Sequence, residues 1–214
     1  MHKKELITAG KELGDAAKVL VMVHGRGGSA EDILSLAGYL SVSDFTILAP
    51  QATNRSWYPY SFLAAPEQNE PWLSSALDLL KEITADIEAK GIRKDNIFFL
   101  GFSQGACLTL EFVTRNASRY GGIVALTGGL IGDRINTGNY AGDFSGTPVF
   151  IGTSDPDPHV PVERVNHSVM ILEQMNAVVT KKIYKGMGHT INNDELEEAN
   201  RLILNQNTWT KHSL

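Results

Sequence analysis

Cysteine is nearly absent: Cys107 stands alone among 214 residues. One thiol makes no internal disulfide, and no Cys/His cluster has the spacing of a zinc site. Basic runs are also missing. None exceeds a pair such as Lys3-Lys4 or Lys181-Lys182, and the formal net charge is −5. The concentrated cationic surface that grips nucleic-acid phosphates is therefore lacking, and no nucleic-acid partner is expected. No stretch approaches the roughly 18 apolar residues that span a bilayer. The opening Met-His-Lys-Lys-Glu-Leu-Ile turns polar before any run long enough for a signal peptide, so a cytoplasmic location is expected. Internal repeats and low-complexity linkers are absent, as are the Walker Gly-Lys-Ser/Thr and the G-x-G-x-x-G spacing.

What is present is an ordinary globular composition, 43% hydrophobic and 20% charged. The length suits one large domain over residues 1–214, with a frayed tail at 207–214. Short apolar runs occur at Ala17–His24, Phe45–Ala49, Asn96–Gly101, Gly122–Leu126, Pro148–Gly152 and Val178–Tyr184. Continuous runs of this kind suit strands buried on both faces, as in a parallel sheet. Helical patterns lie between them. In Trp72–Lys90, Leu73, Leu77, Leu80, Ile83 and Ile87 form one apolar stripe, and Gly91 is a C-terminal stop. Gln104–Asn116, Val162–Met175 and Asp194–Gln206 also read as helices, the last capped by Asn192 or Asn193. Alternating strands and helices imply an α/β fold, a mostly parallel sheet with helices on both faces. The segment Gln51–Pro71, rich in aromatics, Pro and Asn, is a long connection of the kind that carries function.

The third run leads straight into Gly101-Phe-Ser-Gln-Gly105 and then a helix. A sharp strand-to-helix elbow strains the serine backbone and demands small neighbours, which marks Ser103 as a candidate nucleophile. The alternative is a serine that merely caps a helix. A serine hydroxyl needs a base. Of six histidines, His189 fits: it follows the last strand in Lys185-Gly-Met-Gly-His189 and precedes the last helix. His2 and His212 read as exposed or disordered, and His167 as a surface residue of a helix. An acid belongs at the end of the fifth run, where Gly152-Thr-Ser-Asp-Pro-Asp-Pro-His-Val-Pro161 offers Asp155 and Asp157. Periodicity does not choose between them. The first run ends in His24-Gly-Arg-Gly-Gly28, whose amides can join the N–H of Gln104 around a tetrahedral oxyanion. Arg26 either faces solvent or recognises a substrate carboxylate. Cys107, one helical turn after Ser103, reads as core.

Taken together, these motifs resemble the phospholipase/carboxylesterase family of α/β-hydrolases, which includes acyl-protein thioesterases and small bacterial carboxylesterases. The resemblance covers nearly the whole chain and rests on His24-Gly-x-Gly, Arg55-Ser-Trp-Tyr58, Gly-Phe-Ser-Gln-Gly at Ser103, Asp157-Pro-His-Val-Pro161 and Gly-Met-Gly-His at His189. It implies a single-domain hydrolase sheet of eight or slightly fewer strands with no separate lid domain. It assigns the acid to Asp157, the oxyanion donors to the backbone amides of Arg26 and Gln104, and Trp57 and Tyr58 to a segment lining the substrate channel. Without it, Trp57 reads equally well as a core anchor. Arg26 and His159 join Trp57 and Tyr58 as expected substrate-binding residues. The expected activity is a serine carboxylesterase with a Ser103–Asp157–His189 triad, acting on a small-molecule ester without metal or organic cofactor. The alternatives are an acyl-protein thioesterase or lysophospholipase-type activity, and an inactive hydrolase fold used for binding. Arg26, often a small or apolar residue in the thioesterases, and the proline-punctuated loop from Tyr58 to Trp72 favour a small ester. The oligomeric state stays open, a homodimer included.

Overall fold

The computed structural model describes residues 1–205. The expected tail at 207–214, with His212, lies outside the described residues. Among the described residues seven strands form one sheet, and five α-helices pack on it. In chain order they are β1 (Leu6–Gly10), β2 (Lys18–Val23), α1 (Ala30–Leu34), β3 (Phe45–Pro50), α2 (Trp72–Ala89), β4 (Ile97–Phe102), α3 (Gln104–Arg115), β5 (Gly122–Leu126), β6 (Pro148–Asp155), α4 (Val162–Gln174), β7 (Val178–Lys185) and α5 (Asn193–Ala199). The strands lie in the order β1-β3-β2-β4-β5-β6-β7, all parallel except β1, which runs antiparallel to β3. Among the described residues no separate lid domain interrupts this layout, and no helix is long and apolar enough to cross a membrane.

Side-chain alternation divides the core in two. Val19, Val21 and Val23 of β2 face the layer that holds Leu73, Leu80, Ile83 and Ile87 of α2 and Leu108 of α3. Leu20 and Met22 face the opposite layer, with Ile33 of α1 and Leu196 and Ala199 of α5. The stripe expected on α2 is the buried one, with Leu77 partly buried at its margin.

Two elements escape the sequence patterns. β1 is a half-exposed edge strand of five residues, too short and too mixed for a clear period. α1 is little more than one turn, yet it carries a capping box that sequence inspection could have caught. Ser29 Oγ accepts from Asp32 N at 3.2 Å, and Asp32 Oδ2 accepts from Ser29 N at 2.8 Å. One expectation is corrected. Val178–Tyr184 is not buried on both faces: among the described residues β7 is the second end strand of the sheet, with Val178 61% and Ile183 41% exposed. Its lysines, Lys181, Lys182 and Lys185, are what an unpaired edge carries to discourage strand pairing.

Candidate active site

The parallel register sets Val23 of β2 against Gly101 of β4. The two strand ends therefore emerge side by side, and the loop after β2 meets the turn after β4. Ser103 occupies that turn at φ 54° and ψ −120°, a left-handed conformation that costs energy for a residue with a side chain. Packing dictates the flanking glycines. A Cβ on Gly101 would sit 2.4 Å from Gly105 O, and one on Gly105 would sit 2.1 Å from Val23 O. Gly25 meets the same crossing less tightly, an added Cβ lying 3.2 Å from Phe102 Cδ1 and 3.3 Å from Phe102 O.

Ser103 Oγ lies 2.7 Å from His189 Nε2, and His189 Nδ1 lies 2.9 Å from Asp157 Oδ2. With a carboxylate accepting from Nδ1–H, the Nε2 lone pair is left to accept the serine proton. Asp157 is shut off from solvent, and its Oδ1 also accepts from the amides of His159 and Val160, each at 2.8 Å. Burial pulls its pKa up, but those two amides and the imidazole outweigh burial and hold the carboxyl below its ordinary value. Asp155, the other acid that the sequence offered, ends β6 exposed and makes no contact with the imidazole.

The acid turn and the histidine loop are joined by Ser154, whose side chain has no solvent access. Its hydroxyl donates to Pro156 O at 3.0 Å and accepts from Gly188 N at 2.9 Å. One buried oxygen thus ties the residue before Asp157 to the residue before His189. A lone serine inside a strand carries no pattern, and sequence reasoning missed it.

The two amides expected to hold an oxyanion belong to Arg26, in the loop after β2, and to Gln104, directly after Ser103. Gln104 is the first residue of α3, so its N–H has no intrahelical acceptor. Gly27 N donates to Arg55 O and Gly28 N to Gly25 O, whereas the Arg26 amide meets no backbone acceptor among the described residues. The Gln104 side chain does a separate job that was not foreseen: Oε1 accepts from Trp57 N at 2.9 Å, and Nε2 donates to Tyr58 O at 2.8 Å. It thereby fastens the long 51–71 connection over the elbow.

A cavity of about 540 Å³ opens above Ser103, walled by Arg26, the segment Tyr58–Leu63, Cys107, the 158–160 turn and His189. Tyr58, Arg26 and His159 thus line it as expected, His159 with its ring 4.8 Å from that of His189. Trp57 does not. It is fully buried, its Nε1 donates to His24 O at 2.8 Å, and its ring packs 4.9 Å from His24. The expectation that Trp57 lines the channel is therefore corrected to a core anchor. His2 is corrected as well: it is half-buried, Nε2 donating to Trp57 O at 2.9 Å and Nδ1 accepting from Thr53 N at 3.1 Å. Cys107 lies in α3 as expected, buried, with its thiol pushed up to about 12 by desolvation. A thiol so hard to ionise is no nucleophile. His24 is structural too, its Nε2 accepting from Ala52 N at 3.1 Å.

Behind His189, a capping box turns the chain into α5. Asn192 Oδ1 accepts from Glu195 N at 2.8 Å, and Glu195 Oε2 accepts from Asn192 N at 3.0 Å. Glu195 has no solvent access, and its other oxygen, Oε1, has no partner among the described residues. Burial lifts this carboxyl from 4.5 to about 7. Between those values the folded chain holds a proton that the unfolded chain releases, so stability falls as pH rises through this window. Glu195→Gln keeps a side-chain oxygen for Asn192 N and removes the titration. Its stability relative to the unsubstituted protein is expected to improve from pH 5 to pH 8, by on the order of 3 kcal/mol in denaturant unfolding.

Comparison with known proteins agrees with this architecture. The profile of the Phospholipase/Carboxylesterase family matches residues 4–206. A crystal structure of a phospholipase/carboxylesterase from Dyadobacter fermentans superposes with a TM-score of 0.94 at 58% identity, covering 95% of this chain and 97% of that one. Acyl-protein thioesterase 1 of Kluyveromyces lactis is 27% identical over 203 residues, 86% of this chain and 89% of its own length. The Arabidopsis thaliana protein named "Probable carboxylesterase SOBER1-like" is 30% identical over 145 residues, 66% of this chain, and the match spans 55% of that relative.

Proposed function

Since the chain belongs to the phospholipase/carboxylesterase family of α/β-hydrolases, we propose that it is a serine carboxylesterase that hydrolyses small or short-chain carboxylic esters through an acyl-enzyme. The observation that carries this reading is the 2.7 Å approach of Ser103 Oγ to His189 Nε2, backed by Asp157 at 2.9 Å. As Ser103 Oγ attacks the ester carbonyl carbon, its proton passes to His189 Nε2. Asp157 stays ionised and stabilises the imidazolium. The negative oxygen of the tetrahedral intermediate falls to the amides of Arg26 and Gln104, each such donor worth about 3 kcal/mol of barrier. His189 then protonates the departing alkoxide, leaving Ser103 acylated. A water molecule gives a proton to the same nitrogen, its oxygen attacks the acyl carbon, and Ser103 leaves with that proton.

A thioesterase uses the same steps with a sulfur leaving group, and the similarity to acyl-protein thioesterase 1 of Kluyveromyces lactis over 86% of this chain keeps it as the second reading. The charged Arg26 on the cavity wall favours a small polar substrate over a long apolar acyl chain. A panel of 4-nitrophenyl esters and acyl thioesters of graded chain length separates the two. Falling kcat/KM beyond short acyl groups supports the esterase, and rising kcat/KM toward long-chain thioesters supports the thioesterase.

Ser154 acts in this scheme by positioning. Ser154→Ala breaks both bonds between the acid turn and the histidine loop, and misplacement of this kind costs roughly 10- to 100-fold in rate. The loss is expected in kcat with KM little changed, and Ser154→Thr, which keeps a hydroxyl, is expected to recover part of it.

A further inference from the structure

Arg26 carries the cavity's one permanent charge among its lining residues. The nearby carboxylate of Asp157 is shut away and shared between His189 and two amides, and no other acidic side chain lines the wall. A chain of net charge −5 therefore presents a cationic wall at its candidate active site. The guanidinium is also held in place. Nη1 donates to Ser56 Oγ at 3.2 Å and to Pro59 O at 2.7 Å, Nη2 donates to Tyr60 O, and the group stands 5.9 Å from the Tyr58 ring centroid. The donors left over are on Nε and Nη2. These neighbouring nitrogens share one edge of the planar fork, and their spacing matches the two oxygens of a carboxylate. The loop contacts have already removed the rotamer freedom that a mobile arginine would lose on binding.

We propose that Arg26 determines specificity by binding a free carboxylate on the substrate, so that the preferred ester is anionic on its acyl or its alcohol side. The inference rests on the esterase reading above and narrows its substrate class. Arg26 is exposed at the cavity mouth, so an alkyl group against this edge gains nothing from the two donors, whereas a carboxylate takes up both in charge-assisted hydrogen bonds.

Esters of matched size test this. 4-Nitrophenyl hemiglutarate is compared with 4-nitrophenyl pentanoate for the acyl side, and 4-acetoxybenzoate with 4-acetoxybenzamide for the alcohol side. The protein is expected to favour the charged member of at least one pair by about tenfold or more in kcat/KM. Arg26→Gln is expected to abolish the preference and Arg26→Lys to keep part of it. The ratio of two esters on one variant cancels any damage to the Arg26 amide or to the loop. A second readout needs no turnover: monomethyl glutarate is expected to raise the Tm of Ser103→Ala protein but not of the Ser103→Ala, Arg26→Gln double variant. Equal treatment of both pairs, with Ser103-dependent hydrolysis of the neutral esters, overturns the inference and leaves the esterase reading standing. Failure to hydrolyse any of the four, with the Arg26-dependent Tm shift present, supports the carboxylate site and overturns the esterase reading.

Discussion

Replacing Ser103 by alanine is expected to lower kcat for 4-nitrophenyl acetate by about 10⁴-fold or more, with the fold intact. The size of the effect follows from the geometry. Among the described residues only Ser103 presents a hydroxyl to His189 Nε2, at 2.7 Å, and Cys107, one turn further along α3, holds its thiol protonated at ordinary pH. Among the described residues no other hydroxyl or thiol on the cavity wall is hydrogen-bonded to His189. His189→Ala is expected to cost about as much, because members of such a set act as a unit rather than additively. Steady-state kinetics on purified variants, with circular dichroism to verify the fold, make the comparison. Residual activity within tenfold of the unsubstituted protein would place the chemistry elsewhere.

Gly105→Ala is expected to produce the largest loss of stability, about 3 kcal/mol or more. In an ordinary helix this exchange stabilises by up to about 1 kcal/mol, since alanine is the better helix former. Here the sign reverses. The added Cβ would lie 2.1 Å from Val23 O and 2.5 Å from His24 O. Both are backbone carbonyls at the end of a central strand, and neither can retreat without moving the loop that carries Arg26. Gly38→Ala is the matched control: its Cβ meets nothing within 4 Å, and a change within about 0.5 kcal/mol is expected. Denaturant unfolding of the two variants checks both sign and size. A Gly105→Ala protein as stable as the control would show that the strand ends and the elbow are packed more loosely than described.

The central strands were legible because burial on both faces writes an unbroken apolar run, as in Val19–Val23 and Ile97–Leu100. Edges write no such signal. β1 carries no period to read, and β7 reads as interior from sequence because its valines and Ile183 look the same whether or not a neighbour covers them. The elbow was legible for a physical reason: two strand ends cross so closely that only glycine fits at Gly101 and Gly105, and that constraint is visible in the letters. Ser103, Asp157 and His189, named from motif order and resemblance, are the residues that the fold brings into contact. Trp57 shows the limit. An aromatic in a long loop packs inward or faces ligand with the same sequence signature, and only the bond from Nε1 to His24 O decides. Ser154 and the Gln104 side chain were invisible because their work is done by single hydrogen bonds across sequence gaps of 34 and 46 residues or more.

The central claim is that Ser103 is an activated nucleophile, and covalent labelling tests it without any assumption about substrate. A fluorophosphonate probe forms a stable adduct only with a serine whose proton a neighbouring base removes. Incubation followed by intact-mass measurement and peptide mapping is expected to show one adduct per chain, on Ser103, and none on Ser103→Ala or His189→Ala protein. Folded protein that takes up no probe, or that labels equally well as Ser103→Ala, would contradict the account.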